Sequence, residues 1–220
     1  LAAAACRAGA TGILDLGRSG STARRALELA FWWTRSADGA SGRFGVRADG
    51  GCRLDVADLE VLAPGRVELV VLAADSPWSA DDPGLAPYRV LAEVTSLDEA
   101  RAAIEAGAGG LIARGNEAGG VVGELSSFVL LQQLVAADLG VPLWSVGGIG
   151  EHTAAAAVIG GAAGVVLDTQ LALMPEAELP ERIGNVLRGM DGSETHIIGR
   201  RRILRPRGVS SEALAGADEC

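Results

Sequence analysis

Residues 141–173 read VPLWSVGGIGEHTAAAAVIGGAAGVVLDTQLAL. An apolar run ends in Gly147, Gly148 and Ile149, a helical stretch that His152 or Thr153 can open follows, and a second apolar run ends in Asp168, Thr169 and Gln170. Strands that are apolar on both faces and joined by a helix form a parallel pair, because parallel strands need a crossover connection. Glycines at the first strand end let backbone N–H groups come close to a ligand, and the helix N-terminus behind them favours an anion. Taken singly, a Gly-Gly turn can be no more than a tight connection, and Asp-Thr can simply cap a helix. In this order the two strand ends match the loops after strands seven and eight of a (β/α)8 barrel, where a phosphate is commonly held.

The same alternation runs back along the chain through TGILDLG, RFGVRA, VELVVLA, YRVLAEV and GGLIAR. With the two runs above, these give seven candidate strands. The spacing predicts a helix from about Thr22 to Trp33 and a firmly bounded one after YRVLAEV. There Ser96 and Glu99 form a capping box, Ala100, Ala103 and Ile104 share a face, and Gly107 stops the turn. Seven strands after an orphan helix, LAAAACRAGA, predict an α/β fold: a TIM barrel lacking its first strand. Residues 74–87, rich in proline and aspartate, are expected to be an irregular loop. The barrel is assigned to residues 1–175, and residues 176–220 to a closing helix, a basic hairpin and a linker to a following domain. The arginines from Arg200 to Arg207 fit a solvated edge strand kept from aggregating by its charges, or a dock for an acidic partner. The final SSEALAGADEC is expected to be disordered or a linker.

Composition narrows the function classes. No apolar run reaches the roughly 18 to 20 residues of a spanning helix, and a net charge of -9 disfavours general nucleic-acid binding. Cys6, Cys52 and Cys220 have no metal-like spacing, and their odd number argues against a disulfide framework, so a cytoplasmic location is expected. All nineteen basic residues are arginine. The chain opens on Leu1 inside a helical pattern, as expected of a sequence that starts within a longer protein.

Three segments, AGAGGLIARGNEAGGVVGELSSFVLLQQL, the stretch quoted at the outset and, more weakly, LAAAACRAGATGILDLG, resemble the nitronate monooxygenase (2-nitropropane dioxygenase) family. That family includes flavin-dependent enoyl-acyl carrier protein reductases. GNEAGG, GE, SFVLLQ and the later DGSET look most like the domain of this type at the start of large polyketide or fatty-acid synthases. The resemblance implies an FMN-binding barrel, with phosphate held by backbone groups at Gly147, Gly148, Asp168 and Thr169, and with Gly119 and Gly120 close to the flavin ring. It implies an acyl carrier protein or neighbouring synthase domains as partners, alongside a small-molecule substrate.

The sequence departs from the family pattern near the expected cofactor. Val121 stands where relatives have a histidine, Glu93 where they often have lysine, and Arg47 where they often have asparagine. Valine cannot transfer a proton. Glu93 would oppose flavin reduction unless a cation compensates, so a pair between Arg47 and Glu93 is expected, with both residues counted among the cofactor-binding positions; the alternative is that both lie off the site. Glu117 is the weak catalytic candidate, with a structural role in orienting the glycine loop beside it. Glu124 is expected to cap or charge the start of the next helix, His152 to cap a helix near the phosphate, and His196 to lie outside the barrel. No metal site is expected. Three functions stay open: an FMN-dependent oxidoreductase acting on a nitronate or an enoyl thioester, an FMN- or phosphate-binding scaffold without redox activity, and a non-redox barrel enzyme with a phosphorylated substrate.

Overall fold

The computed structural model describes residues 1–17, 19–34, 42–177, 179–190 and 194–205. Much of DGSET and all of SSEALAGADEC therefore lie outside the described residues.

The seven runs form one seven-stranded parallel sheet: β1 (Ile13–Asp15), β2 (Phe44–Ala48), β3 (Val67–Leu72), β4 (Arg89–Val94), β5 (Gly110–Arg114), β7 (Leu143–Val146) and β8 (Gly164–Val166), with β6 (Gly120–Val121) outside it. Neighbours in sequence are neighbours in the sheet, and β1 and β8 are its two edges. The result is an incomplete parallel barrel. Helices α1 (Ala2–Arg7), α2 (Gly20–Trp33), α3 (Ala57–Leu62), α4 (Leu97–Glu105), α5 (Ser127–Ala136), α6 (Glu151–Ile159) and α7 (Glu181–Arg188) accompany it. Ser19 caps α2 through Thr22 N–H, so that helix starts earlier than Thr22. In α4 the Ser96 hydroxyl accepts from Glu99 N–H as expected, but Glu99 reaches back one residue further than a standard capping box, to the Thr95 N–H. Residues 74–87 are irregular apart from a short 3-10 turn at Pro83–Leu85 capped by Asp82.

Strand periodicity divides the core into layers. Residues such as Phe44, Val46, Leu111 and Leu143 face the helices, where they pack with Leu27, Leu59, Leu130, Leu131 and Leu134. The alternate set, Ile13, Leu69, Val71, Leu91, Ile112, Trp144, Val146 and Val166, forms a third cluster lining the inner face of the sheet. Trp144 lies tight against two glycines there. A Cβ on Gly110 would stand 2.9 Å from its ring and 2.7 Å from Leu91, and one on Gly164 would stand 3.1 Å from its Cδ1.

After α7 the chain forms a hairpin, β9 (Thr195–Ile198) and β10 (Arg201–Leu204). The hairpin folds back on the barrel, and β10 pairs antiparallel with β6 to make a separate three-stranded sheet. β10 is the middle strand of that sheet, which overturns the expectation of a solvated edge strand. The reason lies in GNEAGGVVG: its residues 120–121 adopt extended backbone at the barrel mouth and offer β10 an edge to pair with.

Gly110→Ala is expected to destabilise the protein by about 1–3 kcal/mol through overpacking against Leu91 and Trp144. Urea denaturation, compared with the wild-type chain, checks this.

Candidate functional site

Counting by two along the inner face from the apolar layer leads to a polar layer at the C-terminal strand ends: Asp15 above Ile13, Arg47 above Gly45, Glu93 above Leu91 and Arg114 above Ile112. These four residues form one connected ladder. Arg47 grips Glu93 with both ends of its fork, Nε to Oε1 at 2.8 Å and Nη2 to Oε2 at 2.9 Å. Its remaining nitrogen donates to Asp15 Oδ2 at 2.7 Å, with Asp49 at 3.7 Å. Burial alone would lower the Arg47 pKa, but the hydrogen bonds and charges of Glu93, then Asp15, outweigh it and raise it. Arg114, only 8% exposed, donates from Nη1 to the same Glu93 Oε1 at 3.2 Å. The pair between Arg47 and Glu93 expected from the sequence thus forms, and it has a third member that sequence reasoning missed.

Arg114 carries the ladder into the glycine loop, donating to the carbonyls of Val121 at 3.0 Å and Gly119 at 2.5 Å. Nothing lies within 4 Å of where a Gly119 Cβ would sit, so the loop faces open space there. Gly120, at φ 80°, adopts a backbone that favours glycine. Glu117 points away from this ladder. Its Oε2 accepts the Ser127 N–H at 3.0 Å and lies 2.8 Å from the Ser127 hydroxyl, so it ties the loop to the start of α5. Ser126 caps α5 through Val129 N–H. Glu124 makes no cap: Ser126 and Glu117 take that role, and Glu124 is exposed two residues before Ser126, with its carbonyl accepting from Asn116.

The phosphate-type loops adjoin this one. A Cβ on Gly147 would meet Ala118 N at 2.8 Å, and one on Gly148 would meet Glu117 at 3.6 Å. Both glycines have positive φ, 105° and 63°, which turns the chain sharply from β7 towards α6. Thr153 Oγ1 closes that turn, accepting the Gly150 N–H at 2.6 Å and donating to the Gly148 carbonyl at 3.0 Å; His152 is exposed in the first turn and makes no cap. Gln170 bridges the last two strand ends, donating to the Ile149 carbonyl at 2.7 Å while its Oε1 accepts the Asp168 N–H at 2.9 Å. Asp168 caps the following 3-10 turn, with Oδ1 2.6 Å from Thr169 N. Loops 115–123, 147–150 and 168–170 are therefore contiguous, and the ladder from Arg47 joins the first of them from below.

The hairpin packs on the β3–β5 side of this end of the barrel. Arg200 donates to Glu99 Oε1 at 2.8 Å and Thr95 Oγ1 at 3.2 Å, Arg201 pairs with Asp75, and Arg202 donates to the Asn116 carbonyl and to Thr195. These three arginines bind groups of the chain itself. His196 lies on β9, outside the barrel. Burial, first, pushes the Cys52 thiol up, so it is no activated nucleophile. Among the described residues no cluster of histidine, cysteine or carboxylate could hold a metal ion, and no helix is long and apolar enough to cross a membrane.

The model of the nitronate monooxygenase family matches residues 34–187, well over half of the chain. The chain belongs to this family. No curated protein matches it significantly. Among solved structures, FabK from Thermotoga maritima is similar, at 26% identity and a TM-score of 0.76, over 99% of this chain and 72% of that one. Nitroalkane oxidase from Streptomyces ansochromogenes shares the fold at 24% identity and a TM-score of 0.75, over 92% of this chain and 72% of that one. A mandelate oxidase variant, solved with a monooxide FMN adduct, shares it at 20% identity and a TM-score of 0.56, over 76% of this chain and 57% of that one.

Glu93→Ala would leave the buried Arg114 and the half-buried Arg47 guanidinium groups without their shared carboxylate and is expected to cost about 3–5 kcal/mol. Arg24→Ala, which removes an exposed pair with Asp58, should cost no more than about 1 kcal/mol; urea denaturation of both variants checks the contrast. Acid should release the hairpin before the barrel. Burial would raise the Asp75 and Glu99 carboxyls. The backbone N–H of Gly50 with Arg201, and that of Thr95 with Arg200, outweigh it and hold both below the usual range. Groups depressed in this way stabilise fully above their unfolded values, about pH 4, and lose the contribution as pH falls through the folded ones. The Ile197 and Ile203 methyl resonances should therefore shift in acid before that of Leu111 does.

Proposed function

We propose that this chain is an FMN-binding domain of the oxidoreductase type, related to nitronate monooxygenases and enoyl-thioester reductases. The observation that carries it is the contiguity of three loops, 115–123, 147–150 and 168–170, at the C-terminal ends of a parallel barrel. The residues present fit the cofactor. The turn at Gly147 and Gly148 leads into the N-terminus of α6, and the open space before Gly119 admits a flat ring. Backbone groups at Gly147, Gly148, Asp168 and Thr169 would hold the phosphate, and Gly119 and Gly120 would flank the ring. FMN supplies the electron transfer, and the protein supplies position and proton handling.

Of the two substrates, the enoyl thioester fits better if the domain works in a polyketide or fatty-acid synthase with an acyl carrier protein, in the cytoplasm. That context rests on the resemblance of GNEAGG and the later DGSET to synthase domains. A second reading, an FMN- or phosphate-binding scaffold without redox activity, is favoured by one specific observation. Val121 cannot transfer a proton, and its carbonyl and strand pairing are taken up by Arg114 and Arg201. The charge of Glu93 is compensated by Arg47 and Arg114 and does not itself weigh against reduction.

The two readings part on one measurement. The complete domain, purified and examined by visible absorption, is expected to carry a yellow chromophore released as FMN, and the oxidoreductase reading requires NAD(P)H or a nitronate substrate to bleach it. A colour that resists reduction supports the scaffold, and a colourless folded protein sinks the oxidoreductase reading.

A further inference from the structure

Residues 119–122 are held from two sides. From inside the barrel, the Arg114 guanidinium accounts for the carbonyls of Gly119 and Val121. From outside, the Val122 N–H donates to the Arg200 carbonyl at 2.7 Å, while Gly120 and Val121 pair with Arg202 and Arg201 of β10. A peptide group is planar, so a carbonyl aimed inwards at Arg114 directs the next N–H the opposite way, towards the hairpin. Two consecutive grips of this kind fix the rotation of the loop, and with it the face that Gly119 turns to open space.

We infer that Arg114 is a positioning residue for this ligand face, acting through the Gly119 and Val121 carbonyls, with Glu93 and Arg47 holding its guanidinium in place. Arginine is the side chain the task requires. Its fork reaches Glu93, Gly119 and Val121 from three separate nitrogens at once. Lysine would keep the charge for Glu93 yet lack the rigid fork that spans both carbonyls. Glu117, the sequence's candidate for orienting the loop, secures only its junction with α5. The identity of the ligand rests on the FMN reading above; the hold on the loop does not.

The test uses the full chain with Arg114→Lys and Arg114→Gln, and Arg24→Gln as a control away from the site. Two quantities are read: amide hydrogen exchange without added cofactor, and the FMN dissociation constant from flavin fluorescence. Arg114→Lys is expected to stay folded and to exchange the Gly120 and Val122 amides about ten-fold faster, as loss of charge-assisted hydrogen bonds implies. Leu130 and Leu131 amides in α5 should exchange at the wild-type rate, FMN binding should weaken by a similar factor, and Arg24→Gln should change neither reading. If Arg114→Gln does not fold, Arg114→Lys decides alone. Loop amides as slow as wild type in Arg114→Lys, or exchange that quickens equally through α5, would overturn the proposal. A wild-type chain that binds no FMN would overturn the functional reading instead, and the exchange pattern would still decide the role of Arg114.

Discussion

A carboxylate placed inside a parallel barrel has to be paired, and the arrangement around the mouth follows from the pairing of Glu93. Desolvating one carboxylate costs several kcal/mol, roughly, unless cations and hydrogen bonds surround it. Arg47 on β2 and Arg114 on β5 supply both, and Asp15 on β1 balances the second charge of the group. The ladder therefore runs across the sheet on a diagonal, stepping two residues along β4 beyond the register partner of Arg47 and two along β5 beyond that of Glu93, and it ties β1, β2, β4 and β5 together. A slip of one residue in any of these strands would turn its charge towards the helices, so the ladder also specifies register.

From this level the structure builds upward. Arg114 passes the constraint to the glycine loop, the loop presents β6, and β6 gives β10 a strand to pair with. The hairpin then returns the hold by sending Arg200 and Arg201 to the loops after β4 and β3. The cofactor-type loops on the other side, after β7 and β8, depend less on charge. Glycines of positive φ and the amide of Gln170 shape them.

Much of this was legible in the sequence. Apolar runs between turn signals located every strand of the large sheet, since strands buried on both faces leave little else to read. Gly147, Gly148, Asp168 and Thr169 were legible because strand ends that turn sharply need glycine and short polar caps. Arg114 was missed although its signal was present. GGLIAR is an apolar run closed by a charge, and the period of two that places Ile112 inside the barrel places Arg114 there as well. The pairing of β10 with β6 had no local signal, because two residues, Gly120 and Val121, are too few to show a strand period. The arginine cluster read as a solvated edge for the same reason: its partners, Glu99, Asp75 and Asn116, lie far away along the chain.

That distance has a kinetic meaning. Arg200 meets Glu99 across 101 residues and Arg201 meets Asp75 across 126, whereas each parallel strand meets a neighbour that directly follows it in the barrel order. Contacts of high sequence separation form only after the entropy of closing their loops has been spent. The hairpin has nothing to dock on until β3, β4 and the glycine loop stand in place. It is therefore expected to settle last among the described residues, giving the barrel mouth its final shape at the end of folding.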